Sequence, residues 1–147
     1  MEESEIKQLI LEVLDKGYLL SLATVDDGGV WACDVIYVHD DELNIYWMSD
    51  PEVRHSRAIQ SHPQAAGVVT VSGQGEDNLG VQIEGVVEKI LGARFDLAQK
   101  HLAKRQKPPP TETLDVLHGD AWYCLKPKRI DLTCERLFGC EKRSYEL

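Results

Sequence analysis

Short runs of strand-forming residues separated by turn sequences dominate the first half of the chain. Residues 18–25 are rich in β-branched and aliphatic side chains and lead into DDGG at residues 26–29, where the glycines tolerate positive φ. Strand formers resume at residues 30–38, and a polar turn at residues 39–42 precedes a third run at residues 43–49. Because connections this short join neighbouring antiparallel strands, the segment predicts a three-stranded meander.

The second half of the chain adds three more predicted strands, at residues 65–72, 81–91 and 121–132. In the middle one, Gly85 shares a face with apolar residues, which indicates a bulge or bend. The apolar residues of that face are Val81, Ile83, Val87 and Leu91.

Helical patterns precede and separate these strands. Ser4 is the predicted N-cap of a helix that ends at Gly17, and Asp50 is the predicted N-cap of a short helix that stops before Pro63. Two further helices are predicted at residues 94–107 and 112–118. Six antiparallel strands with peripheral helices predict a mainly β, barrel-like single domain over residues 1–147.

Composition excludes several classes of function. The net charge of -9 argues against nucleic-acid binding, which depends on lysine and arginine. No apolar run approaches the roughly 18 residues of a membrane span, and the acidic amino terminus is unlike a secretion signal, so we expect a cytoplasmic protein. The four cysteines form no Cys-x-x-Cys pair and are interpreted as buried or idle thiols. The five histidines lack ligand spacing, so no metal site is predicted.

One cluster of basic residues is out of place. Arg54, His55 and Arg57 fall in the opening turns of the predicted short helix, where the macrodipole disfavours cations. A bound phosphate would reverse that penalty, because it would collect the free N–H groups and the guanidinium charge together. The alternative is a solvated cluster partly paired with Asp50 and Glu52. Ser49 and Met48 would offer a hydroxyl and an apolar wall beside the anion.

Several linked blocks carry a family resemblance. LATVDDGG, VIYV, LNIYWMS, RHSRAIQSHPQAAGVVTV and VQIEGVVEKI, in this order, resemble the pyridoxamine 5'-phosphate oxidase-like family of FMN-binding split barrels over residues 18–91. The closing WYCLKPKRIDL is similar to that family's last barrel strand. The resemblance implies a six-stranded antiparallel split β-barrel and a homodimer with FMN in clefts between the subunits. It is nearest to an uncharacterised bacterial branch.

The resemblance also implies roles for individual residues. Arg54 and His55 match the family's Arg-Lys pair that grips the FMN phosphate, and Ser49 matches a small hydroxyl residue that reaches the cofactor. The main chain of Val35 and Ile36 would face the flavin ring. Gln82 would offer an amide near the ring.

The chain departs from the vitamin B6 oxidase at its substrate residues. Cys33 and Val38 replace an arginine and a lysine, and Arg136-Leu137-Phe138 lacks the histidine of the oxidase's Arg-Leu-His motif. Pyridoxamine phosphate oxidation is therefore not expected.

Two functions follow from this reading. The first is a flavin-dependent oxidoreductase that acts on an unknown small substrate with a nicotinamide or similar electron donor, its catalytic residues unassigned. The alternative is a non-catalytic protein that binds FMN or haem for storage or sensing. At most one aromatic is expected to stack on the flavin ring, and the candidates are Trp31, Tyr46, Trp47, Trp122 and Tyr123.

Overall fold

The structure, a computed structural model, describes residues 1–112 and 115–147. Four helices and seven strands are formed by these residues. The helices are α1 (Glu3–Lys16), α2 (Arg54–Ser61), α3 (Phe95–Lys104) and α4 (Glu135–Phe138). The strands are β1 (Leu19–Asp26), β2 (Gly29–His39), β3 (Ile45–Ser49), β4 (Gln64–Thr70), β5 (Leu79–Ile90), β6 (Ala121–Cys134) and β7 (Lys142–Glu146).

Six of the strands close into an antiparallel barrel. The sheet order is β3-β2-β1-β4-β5-β6-β7, and a further pairing of β3 with β6 closes the ring. The predicted mainly β fold with a six-stranded antiparallel split barrel is confirmed. Strand β7 and helix α4 were not predicted, because KRSYE is largely polar and ERLF is too short for a helical period.

The barrel is split between β2 and β3. Only Tyr37, Val38 and His39 of β2 pair with β3, whereas the preceding part of β2 pairs with β1 alone. Helix α2 follows directly after β3 and packs against β1 and β2. The split therefore leaves one edge of β2 free of a strand partner beside the start of α2.

Two apolar clusters hold the elements together. The barrel interior is filled by large side chains such as Tyr37 and Trp47, and α1 adds Ile10 and Leu14 from one side. The Tyr37 hydroxyl donates a hydrogen bond of 2.7 Å to the carbonyl of Leu14, which fixes α1 to β2. A smaller cluster packs α3 against the outside of the barrel around Trp122. Apolar area is thus buried on both sides of β3, of β6 and of the second half of β2.

Several predicted boundaries are wrong. Glu2, not Ser4, caps α1, through a capping box with Glu5. Strand β5 ends at Ile90, and Leu91 is 88% exposed instead of sharing the buried face. Of the helix predicted at residues 112–118, residues 113–114 lie outside the described part of the chain, and residues 115–118 are not helical.

The cysteines differ in environment. Cys124 and Cys134 are buried, Cys33 is half-buried and Cys140 is exposed, and all four are free thiols. In the described ranges, no helix has the length and apolar character needed to cross a membrane.

The predicted bulge at Gly85 is confirmed. The register between β5 and β6 shifts between Glu84 and Gly85, so that Gly85 lies opposite Pro127. A Cβ atom at Gly85 would clash with the main-chain carbonyl of Lys126, which no side-chain rotation can relieve. Glycine is required here by the close approach of two backbones.

We expect Gly85→Ala to lower the free energy of unfolding by about 1–3 kcal/mol, because β5 or β6 must shift to make room. Glu84→Ala, an exposed neighbour on the same strand, is the control and should change stability by less than about 0.5 kcal/mol. Urea unfolding at neutral pH measures both. Equal stability of the two variants would show that the bulge tolerates a side chain.

Candidate functional site

Helix α2 begins later than the sequence predicts. Asp50 is not its N-cap: its carboxylate accepts a hydrogen bond of 2.9 Å from the N–H of Glu52, and its carbonyl accepts one of 3.3 Å from Val53. These bonds form a turn, and Val53 is the N-cap, without a capping side chain. Arg54 is therefore the first helical residue instead of the fourth. At the first position the helix dipole opposes a cation most strongly.

The β1–β2 hairpin neutralises Arg54. Nε and Nη2 of Arg54 donate hydrogen bonds of 3.0 and 3.2 Å to the two carboxylate oxygens of Asp26. The N–H of Gly28 donates to the same carboxylate at 2.8 Å, and the guanidinium lies 4.5 Å from the ring centre of Trp31. The hydrogen bonds from Arg54 lower the pKa of Asp26. The counter-ion is thus Asp26, distant in sequence, and not the predicted Asp50 or Glu52.

His55 and Ser49 form the second polar contact at the junction of β3 and α2. The Nε2 of His55 lies 2.9 Å from the Oγ of Ser49, which is 8% exposed. Burial lowers the pKa of His55 below its ordinary value of about 6.5. Near neutral pH the imidazole therefore offers a hydrogen bond and no positive charge.

A cleft of about 740 Å³ opens between the hairpin turn and α2. It is lined by Asp26, Asp27, Gly28, Arg54, Arg57, Ala58, Gln60, Ser61 and His62. The predicted grouping of Arg54 and Arg57 on one side is present, since both line this cleft. Two aspartates and two arginines face each other across it, so the charges of the cleft are nearly balanced.

The other residues predicted at the site lie in different places. Ser49 points with Trp47 toward the interior, while Met48, on the opposite face of β3, packs against the α3 cluster. Val35 is 8% exposed with its side chain in the core, and Ile36 is half-buried on the outer face of β2. These four residues lie where β2 and β3 part.

Gln82 is not brought to Arg54 within one chain. It lies on β5, and β4 and β1 separate that strand from β2. Its Nε2 is 3.5 Å from the Oγ1 of Thr133, and its buried Oε1 has no hydrogen-bond partner among the described residues. An unpaired buried acceptor is costly in a folded protein, so this atom is a place where a donor from outside the chain would be favourable.

Asp26 and Trp31 complete the site. The sequence pattern places Asp26 only in a turn, and it gives Trp31 as one of five aromatic candidates without preferring any of them. The structure separates Trp31 from the others. Trp47, Trp122 and Tyr123 are buried and Tyr46 is half-buried against the α3 cluster, whereas Trp31 is 44% exposed beside Arg54. The hairpin register, which pairs Asp26 with Gly29 and Trp31 with Thr24, is what places both residues.

Within residues 1–112 and 115–147, no three histidine, cysteine, aspartate or glutamate side chains are grouped to hold a metal ion.

The fold and the position of the basic residues define a class of protein. A six-stranded split barrel with an arginine at the start of the helix after β3 is a split barrel of the pyridoxamine 5'-phosphate oxidase type. The family model described as "Pyridoxamine 5'-phosphate oxidase" matches residues 6–134, and the chain belongs to this family. It is a member of the wider family and not the vitamin B6 oxidase itself.

Relatives in sequence are proteins of the UPF0306 group. The protein plu4501 of Photorhabdus laumondii is 29% identical over 109 residues, which are 71% of this chain and 75% of that protein. YhbP of Escherichia fergusonii is 30% identical over 96 residues, or 63% of this chain and 64% of that protein. The match thus spans slightly less than two thirds of the length of YhbP.

Solved structures share the fold at low sequence identity. A conserved hypothetical protein of Mycobacterium tuberculosis, Rv2991, superposes with a TM-score of 0.77 at 15% identity, covering 100% of this chain and 93% of that one. HutZ, described as the haem storage protein of Vibrio cholerae, superposes with a TM-score of 0.62 at 15% identity, covering 97% and 92%.

The burial of His55 predicts how its imidazole titrates. We expect a pKa below about 6.5 in the wild type and also in Ser49→Ala, because desolvation is the cause of the shift. Because the folded state lowers the pKa of His55, its contribution to the free energy of unfolding is fully present above the unfolded-state pKa of His55. That contribution is lost as pH falls through the folded-state pKa. Nuclear magnetic resonance of the ring protons measures the titration, with His55→Gln to assign the signal. A pKa at or above the ordinary value would mean that His55 is not desolvated.

Proposed function

We propose that this protein binds FMN and is a flavin-dependent oxidoreductase that acts on a small substrate with a nicotinamide or similar electron donor. The observation that carries the proposal is the position of Arg54, the first residue of α2, with its side chain 39% exposed at the split between β2 and β3. Membership of the family supports the same position for the phosphate.

The residues at the junction fit a phosphate group. Arg54 supplies a planar pair of donors, which suits phosphate oxygens, and the first N–H groups of α2 have no partners within the helix. The pair of Ser49 and His55 supplies a further hydrogen bond close by. Arg57 adds a second positive charge to the cleft.

The neighbouring backbone fits a flat aromatic ring with hydrogen-bonding edges. From Gly29 to Ile36, β2 is paired on one side only, so main-chain groups at its other edge are left for a ligand. Trp31 provides an exposed aromatic surface near Arg54. The unpaired Oε1 of Gln82 suits an N–H donor such as that of a flavin ring, but it requires a second subunit to reach the same site.

The outer face of β2, β1 and β4 supplies a reason for such a second subunit. Cross-strand neighbours on this face form a row of Ala32, Ala23 and Ala66, all exposed or half-buried. Beside it lie Val68, 39% exposed, and Val30, 81% exposed. The next row of this face is partly polar, since Ser21 donates a hydrogen bond to Asp34 there. The alanine row and its exposed valines still form an apolar strip, which favours contact with a second copy of this chain.

The cofactor would supply the hydride chemistry, and the protein's part would be to bind and orient it. The main chain of β2 and the α2 junction would fix its position, and a second subunit would exclude water from the cleft. Cys33 and Val38 stand where the resemblance gives the vitamin B6 oxidase basic residues, so neither of these two side chains offers a charge to a substrate's phosphate.

A second candidate is haem binding, for storage or sensing. The observation in its favour is His62, which lines the cleft with its side chain 40% exposed, while its Nδ1 is buried away from the cleft. Its Nε2 is 4.0 Å from Asp27, beyond hydrogen-bond distance. Nε2 of His62 is therefore the nitrogen that could serve as an axial ligand.

We expect the purified protein to bind added FMN, and Arg54→Ala to weaken binding by about 1–3 kcal/mol through loss of a charged hydrogen bond. Arg143→Ala is the matched control, because that arginine is on β7 and pairs with Glu141. Titration followed by flavin fluorescence gives the dissociation constants. Equal losses in the two variants would remove Arg54 from the site.

The same samples distinguish the two functions. Reduction of bound FMN by NADH or NADPH is the result expected of an oxidoreductase. Bound FMN that neither nucleotide reduces would favour storage or sensing. A Soret band on adding haem, lost in His62→Ala and accompanied by no flavin uptake, would favour the haem protein.

We expect the wild type to be a homodimer and Ala66→Arg to raise the dissociation constant of the dimer at least about a hundredfold, because an unpaired charge would be buried between the two faces. Leu91→Arg, at an exposed position beyond the end of β5, is the control and should leave the dimer intact. Analytical ultracentrifugation measures both. A dimer that survives Ala66→Arg unchanged would place the interface elsewhere.

A further inference from the structure

Asp26 occupies the two-donor fork that Nε and Nη2 of Arg54 would offer to a phosphate. The two hydrogen bonds from Nε and Nη2 reach the two oxygens of one carboxylate, which is the geometry in which arginine also binds phosphate. This fork serves one anion at a time, and an anion bound at the Nη1 end of the guanidinium would lie beside a carboxylate of like charge. The carboxylate of Asp26 is thus an internal substitute for the ligand.

The hairpin holds this carboxylate in place. Asp26 pairs with Gly29 at the end of the β1–β2 ladder, and the φ of 112° at Gly29 turns the chain sharply. The N–H of Gly28 donates to Oδ1 of Asp26. A Cβ atom at Gly28 would lie 3.2 Å from that oxygen and 3.4 Å from Nη2 of Arg54, so a larger residue would crowd the ion pair.

Trp31 contacts Arg54, the other partner of the ion pair. The Arg54 guanidinium lies over its ring, and β2 carries that ring from the same hairpin that supplies Asp26. Arg54 is therefore contacted by the end of β1, the turn and the start of β2 together. Asp27, whose side chain is fully exposed in the same cleft, makes no such contact with Arg54.

We propose that Asp26 is a specificity-determining residue, an internal competitor that keeps the affinity of Arg54 for phosphate low. Free phosphate and small phosphorylated molecules would have to displace the carboxylate without other contacts to offset its loss. A ligand with a ring to bind along β2 could displace it and still bind. The inference rests on the proposed function for the identity of the full ligand, but the competition itself concerns only Arg54 and an anion.

The test compares Asp26→Asn with Asp27→Asn. Both remove one negative charge from the cleft, while asparagine at residue 26 keeps an acceptor for the N–H of Gly28. The probes are FMN, riboflavin, which lacks the phosphate, and inorganic phosphate at constant ionic strength. Flavin fluorescence follows the first two, and the Nε–H resonance of Arg54 follows the third.

We expect Asp26→Asn to bind FMN and inorganic phosphate about three- to tenfold more tightly than the wild type, with riboflavin unchanged. Asp27→Asn should change each affinity less than about twofold, because an exposed charge without a contact to Arg54 is screened by solvent. Urea unfolding of both variants shows whether the fold is kept, and Asp26→Ser replaces Asp26→Asn if it is not.

Three results would overturn the inference. They are FMN and phosphate affinities unchanged or weaker in Asp26→Asn, riboflavin affinity raised as much as FMN affinity, and no response of the Arg54 resonance to phosphate in Asp26→Asn. Failure of the proposed function has a different signature, since neither flavin would then bind to any variant. The phosphate titration would still decide the role of Asp26.

Discussion

Closure of the barrel by the pairing of β3 with β6 is the constraint on which the site depends. Strand β3 pairs along its whole length with β6, but it pairs with β2 only at Tyr37–His39. The rest of β2 is therefore left with one unpaired edge. The start of α2 follows immediately and brings Arg54 to the opening. A barrel closed along the whole of β2 and β3 would have neither the free edge nor the cleft.

Charge at the opening is balanced within the chain. Arg54 begins a helix, where a cation is disfavoured, and the structure offsets this with Asp26 and Trp31 from the hairpin. His55 adds hydrogen-bonding capacity without charge, because burial keeps it neutral. The site therefore has one fully charged donor at the helix start, Arg54, which is already bonded to Asp26. The family's Arg-Lys pair would instead place two charged side chains there.

The proposed cofactor and the proposed dimer depend on each other. The cleft at α2 and the apolar face of β2, β1 and β4 adjoin at the end of the β1–β2 ladder, where Val25 and Asp26 are consecutive residues. Gln82, on β5, is too far along the sheet to serve the cleft of its own chain. A second copy against this face would cover the cleft and bring a new set of outward-facing groups to it.

The sequence by itself determined the six barrel strands, their antiparallel pairing and the bulge at Gly85, because hydrophobic alternation, turn residues and glycine act over a few neighbouring residues. It also drew attention to Arg54, since a cation at a helix start conflicts with a local rule. It placed the N-cap of α2 at Asp50 instead of Val53 and left β7 unseen, where the local signals were ambiguous or absent. Only the tertiary structure decided that Asp26 pairs with Arg54, that Trp31 alone of the tryptophans is exposed, and that Gln82 lies apart from the cleft. Those relations join residues distant in the chain through strand register and barrel closure, and no local pattern records them.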